Sequence, residues 1–180
     1  MAALSMRTIL ALALLLALAP AVNSESRRHT HYITNRPPLA AKPYTELPLG
    51  SIEPDGWLRR QLACLAQGMT GRLDELYPQV LGPRNGWLGG DGDGWERGPY
   101  WIDGLLPLAH LLKDDRLLAK ANAWVEWTLA NQRDDGYLGP IPFENPPEFE
   151  PGLQRDQRRD WWPKMVMLKV LQQHYLATGD

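Results

Sequence analysis

The sequence predicts an all-α fold assembled from helical hairpins, and three observations predict it. Apolar residues recur at spacings of three and four in four separate stretches, the mark of helices with one face turned to a core. Helix start and stop signals (Asp, Pro and Gly) bracket those stretches. Short turns at 113–115 and after 177 alternate with long loops at 71–99 and 134–160, which carry Pro, Gly, Trp and acidic residues. Long loops inside a compact domain are usually functional, so hairpins with short turns on one rim and long loops on the other imply a toroid whose decorated rim forms a cleft.

Residues 1–24 read as a signal peptide. Arg7 precedes the apolar run Ile9 to Leu18, and the small residues Ala19, Ala21 and Ser24 follow, the pattern of an exported protein. The run is shorter than the roughly 20 apolar residues of a membrane span. A secreted or periplasmic protein is the expectation, with no membrane association once the leader is cleaved. His29 and His31 follow in a polar tail and are expected to be solvated. Residues 25–50 include "PPLAAKPYTELPLG", too rich in proline for a helix, and read as an extended arm or edge strand.

The domain proper, 51–180, begins with a helix from about Asp55 to Met69, ending at Gly71, with Leu58, Leu62, Leu65 and Met69 on one stripe and Cys64 among apolar neighbours as a packed thiol. A second helix starts behind Pro99, with Trp101, Leu105, Leu108 and Leu112 on one side and a kink expected at Pro107. The third, 116–132, repeats Leu117, Ala121, Trp124, Val125 and Leu129. A fourth has Asp160 as N-cap, Pro163 in its first turn and Gly179 at its end, and only Lys169 is polar between Met165 and Leu171, which predicts burial on most sides. His110 and His174 close two of these helices about sixty residues apart, a hint of a helical-hairpin repeat.

Composition narrows the function. The net charge of −2 and a pI near 6.1 offer no basic surface to displace counterions from a phosphate backbone, which excludes nucleic acid as the expected partner. One cysteine forbids an internal disulfide, and the four histidines and the cysteine never fall at zinc-ligand spacing. Eight tryptophans stand against two phenylalanines, so the aromatic content favours the residue that both stacks and donates a hydrogen bond.

These residues concentrate in "WLGGDGDGWERGPYWIDG", 87–104. As a calcium loop it fails, because counting from Asp91 puts Trp95 and Glu96 at the fifth and sixth positions, where an oxygen ligand and a glycine are needed. As a phosphate or dinucleotide loop it fails too, lacking both glycine signatures and carrying carboxylates that repel phosphate. Sugar recognition fits: carboxylates accept from vicinal hydroxyls, arginine donates to them, and indole faces cover the C–H patches of a sugar ring. The candidate substrate-binding residues are Asp91, Asp93, Trp95, Arg97, Tyr100, Trp101 and Asp103. "RDWWPK" repeats the theme with Trp161 and Lys164, beside Asp160 and a Trp162 equally suited to packing or stacking. Glu96 and Arg97 could instead pair with each other.

"LPLGSIEPDGWLRRQL", "GWLGGDGDGWERGPYWIDGLLPLAHLL", "NQRDDGYLGP" and "DWWPKMVMLKVLQQHYLATGD" together resemble the N-terminal part of the bacterial β-L-arabinofuranosidase family of glycoside hydrolases, among the six-hairpin glycosidases. The resemblance runs from about Leu47 to Asp180. It implies an (α/α)6-barrel catalytic domain, incomplete in this chain, export, and action on plant-type glycans. It also implies a zinc-bound cysteine nucleophile with a glutamate acid/base, whose motifs lie downstream of those matched, so the catalytic residues are not among the candidates, Cys64 does not take that role and no cofactor is assigned to this chain. Pro163, Lys164 and Met165 stand where some members carry a histidine, a departure that bears on the sugar recognised. Two other classes remain open: a polysaccharide lyase or unsaturated-uronide hydrolase on a similar barrel, in which Arg97 and Lys164 would contact a uronate, and a non-catalytic glycan-binding helical array.

Overall fold

The computed structural model describes residues 31–145, 148 and 150–180; the signal peptide and His29 lie outside them. The described chain is all helical, without a strand. Helices α1 (Gly56–Gln67), α2 (Met69–Leu76) and α3 (Pro78–Leu81) lead through a 3-10 turn at Gly86–Leu88 to α4 (Arg97–Leu112), followed by α5 (Asp115–Ala130), a second 3-10 turn at Asp156–Arg159 and α6 (Trp162–Thr178). Among the described residues no helix is long and apolar enough to cross a membrane.

The central element is α4, which packs against α1, α2, α3, α5 and α6. Its apolar residues surround it on most sides: Trp101, Ile102, Leu105, Leu106, Leu108 and Ala109 are all buried, and each large aliphatic side chain so removed from water contributes roughly 1.5–3 kcal/mol. Pro107 withholds one amide donor, yet the helix continues through it to Leu112. Lys113, at φ 54°, then turns the chain by sending its amide to Ala109 and His110. The side chain of Asp114 accepts from the Leu117 amide at 3.1 Å, which satisfies one of the free donors of α5.

A two-residue link leaves α5 antiparallel to α4, and the approach is close at one point. A Cβ on Gly98 would lie 2.4 Å from the Trp124 ring, so only glycine fits at that crossing. The sequence stripe of α5 is buried at Leu117, Ala121, Trp124 and Val125, but in its last turn the buried position is Thr128 and Leu129 is exposed, because Thr128 continues the row of 117, 121 and 124 on the face turned to the core.

Helix α6 lies beside α4 and parallel to it: Asp103 bonds Lys169 and Gln173, and His110 senses the charge of His174, so paired positions rise together along both helices. The N-cap of α6 is Trp161, without a side-chain cap, rather than Asp160; Asp160, one residue earlier, accepts from the Trp162 amide at 3.0 Å, and Gly179 ends the helix at φ 84°. Burial on most sides is not found. Met167, Val170 and Leu176 are buried while Met165, Leu168 and Tyr175 are exposed, since neighbours cover one flank only.

Three other expectations change. The arm over 31–50 holds turns and no strand, and His31 sits edge-on against Tyr175 with ring centres 5.9 Å apart rather than in open solvent. Residues 71–99 are not one loop, because α2 and α3 occupy their first part; Leu73, Val80 and Leu81 at helical spacing, with Pro78 at the first position of α3, are the signal for them. The predicted stripe is largely solvent-facing, with Leu58 and Leu65 of α1 and Met69 at the start of α2 exposed and Ala66 buried, and Cys64 is exposed because none of the described residues covers that face of α1.

The α4–α6 seam carries a pH dependence. Nε2 of His110 is buried with no hydrogen-bond partner among the described residues, and its pKa lies below the ordinary 6.5 because burial disfavours the imidazolium and, secondarily, because the His174 charge repels it. A folded pKa below the unfolded one means the unfolded chain binds the extra proton more readily. The stabilisation is therefore complete above about pH 6.5 and is lost as pH falls through the lower folded value. The urea midpoint is expected to drop between about pH 7 and about pH 5, and His110→Gln to flatten that slope. An unchanged slope in the variant would remove His110 as its source.

Candidate functional site

The glycine-rich segment folds as a compact loop between the Gly86–Leu88 turn and α4, tied down by hydrogen bonds within the protein. Asn85, fully buried, accepts from the Trp87 amide and donates to the Val80 carbonyl. The amides of Gly86, Gly92 and Gly94 bond the carbonyls of Asp93, Arg84 and Gln154. A Cβ on Gly90 would lie 2.2 Å from the Arg84 carbonyl oxygen, so here the glycine answers to the protein's own backbone.

A second long segment clamps this loop. The Arg158 guanidinium, 4% exposed, donates to the carbonyls of Gly90, Gly92 and Ile141 and lies 4.1 Å from the centre of the Phe143 ring. Burial pushes its pKa down from the usual arginine value, the expected cost of desolvating a cation. Carbonyl dipoles and the aromatic face offset that cost. Residues 154–158, from a loop over sixty positions away in sequence, thus hold the glycine loop in shape.

The candidate residues separate into two groups. Asp93 is fully buried, pairs with Arg97 and accepts from the Gln154 amide at 3.0 Å. Arg97 also reaches the Gly152 carbonyl and the Tyr77 hydroxyl, so its partner is Asp93 and not Glu96. Trp101 is buried, donates its indole N–H to the Thr70 carbonyl at 2.8 Å and meets Trp124 edge-on. Lys164, 5% exposed, donates to the carbonyls of Arg158 and Asp160, and burial lowers its pKa. Asp93, Trp101 and Lys164 are thus buried and bonded within the protein, and in this structure they offer a sugar almost no surface.

Asp91 and Trp95 are intermediate cases. Asp91 is exposed but bonded to Arg84 at 2.9 and 3.1 Å, which holds its carboxyl below the ordinary range, with a lesser contribution from Arg155. Trp95 is half-buried and donates to Asp160 at 2.8 Å. The Asp160 carboxyl is likewise held low, first by the Trp162 amide and then by that indole.

Tyr100, Asp103 and Trp162 come together elsewhere, in a groove of about 270 Å³ between α4 and α6, completed by Met165, Val166 and Lys169. Tyr100 and Trp162 are about half exposed, and Trp161, at the adjoining start of α6, is 69% exposed. Asp103 is the polar centre, accepting from Lys169 and Gln173 at 2.9 Å each. The volume falls just under the roughly 300 Å³ at which drug-sized pockets begin, which suits a small ligand. Lys169 and Gln173 were not among the sequence candidates, although Trp162, Val166, Lys169 and Gln173 fall at helical spacing on one face of α6. Among the described residues no group of three or more His, Cys, Asp and Glu side chains could hold a metal ion.

No family model, no curated protein and no solved structure matches the chain.

Proposed function

We propose that the chain binds carbohydrate in the α4–α6 groove and forms part of an exported glycoside hydrolase of the β-L-arabinofuranosidase type, with its hairpins arranged as in an (α/α)6 barrel. The observation that carries the proposal is the pairing of two half-exposed rings, Tyr100 and Trp162, with a hydrogen-bonding carboxylate, Asp103, in one small groove. Aromatic faces cover the apolar side of a sugar ring while a carboxylate orients its hydroxyls. Two further features support it: the motifs quoted above, and the order α4, antiparallel α5, parallel α6, which is the repeating unit of a barrel of hairpins. The chain's own residues do the binding and orienting; no catalytic step is assigned to them, and Cys64, exposed on α1, is outside the groove lining.

Titrating the 180-residue chain with methyl β-L-arabinofuranoside is expected to change tryptophan fluorescence saturably. Tyr100→Ala and Trp162→Ala should each weaken binding roughly five- to tenfold, the scale of one lost ring contact, with far-UV circular dichroism unchanged. Absence of saturable binding to this and to L-arabinose defeats the proposal.

A further inference from the structure

The groove holds one carboxylate and one ammonium, and they are bound to each other. Asp103 Oδ2 accepts from Lys169 Nζ at 2.9 Å, and its other oxygen accepts from Gln173 at 2.9 Å. The Asp103 side chain is 20% exposed and that of Lys169 61% exposed, so both reach the surface a ligand would touch. The remaining lining, Tyr100, Trp162, Met165 and Val166, carries no formal charge. A uronate carboxylate entering here would meet an ammonium already neutralised and a carboxylate of its own sign, whereas a neutral sugar hydroxyl can donate to Asp103 without disturbing the pair.

We propose that the Asp103–Lys169 pair is the charge selector of the groove, restricting it to uncharged sugars. The inference rests on the carbohydrate reading and adds to it which sugars are refused and by which atoms. Removing either member leaves the other uncompensated, and selectivity then follows the surviving charge.

The test uses the 180-residue chain and three probes of the same pyranose ring configuration: L-arabinose, D-galacturonate, which adds a carboxylate at C5, and D-galactosamine, in which an ammonium replaces the 2-hydroxyl. By isothermal titration the unaltered protein is expected to favour L-arabinose over both charged sugars. Asp103→Asn should raise galacturonate affinity about two- to fivefold, and Lys169→Gln should raise galactosamine affinity about two- to fivefold, each corresponding to one exposed charge interaction. Lys169 is exposed, so its variant keeps the test alive if Asp103→Asn fails to fold by circular dichroism. Binding of L-arabinose with no change of preference in a folded variant overturns the selector and leaves the carbohydrate reading standing. No binding of any sugar by the unaltered protein removes that reading and the selector together.

Discussion

Asp93→Ala is expected to destabilise the protein by about 3 kcal/mol, the low end of the range for breaking a buried ion pair from one side. The carboxylate is fully buried, and its removal leaves the Gln154 amide without its acceptor and the Arg97 guanidinium without its counter-ion. Arg97 keeps 31% of its side chain exposed, so water recovers part of the loss. At about 2–4 °C per kcal/mol for a domain of this size the melting temperature should fall by roughly 6–12 °C. Asp93→Asn retains an acceptor for the Gln154 amide and should lose less. Thermal unfolding and amide exchange at Gly94 and Gln154 are the measurements. A variant that melts as the parent does, but no longer binds sugar, would return Asp93 to the ligand site.

Trp101→Ala should cost about 3–5 kcal/mol, as truncation of a buried tryptophan generally does. The ring is 7% exposed, packs edge-on at 5.8 Å from Trp124 and ties α4 to α2 through the Thr70 carbonyl. Such a loss is a large share of the roughly 5–15 kcal/mol that holds a domain folded. Trp162→Ala supplies the contrast: at 47% exposure its truncation should move stability by about 0.5 kcal/mol or less while weakening sugar binding. Denaturant melts of both variants decide it, and equal destabilisation would contradict the separation of core from groove.

Much of the framework was legible in the residues. The apolar stripes at 101–112 and 117–125 mark helices whose faces are buried, and Pro163 and Gly179 mark the ends of α6. Local signals suffice there because a cap or a stripe acts within one or two turns of its own helix. The stripes at Leu58, Leu65, Met165 and Leu168 obey the same periodicity and are exposed. Periodicity says which residues share a face and does not say whether another helix covers that face.

The candidate site divides for the same reason. Tyr100 and Trp101 are neighbours in sequence, yet successive helical positions point about 100° apart, so one lines the groove and the other is sealed against α5. Asp93 and Asp103 are chemically identical, but the loop carrying Gln154 closes over the first and α6 brings Lys169 and Gln173 to the second. The sequence by itself determined that the chain is helical, where most helices start and stop, and that aromatic and acidic side chains crowd the approach to α4. Only the tertiary structure decided which of them meet water, because burial depends on segments some twenty to seventy positions away, and no local pattern encodes the partner that arrives from that distance.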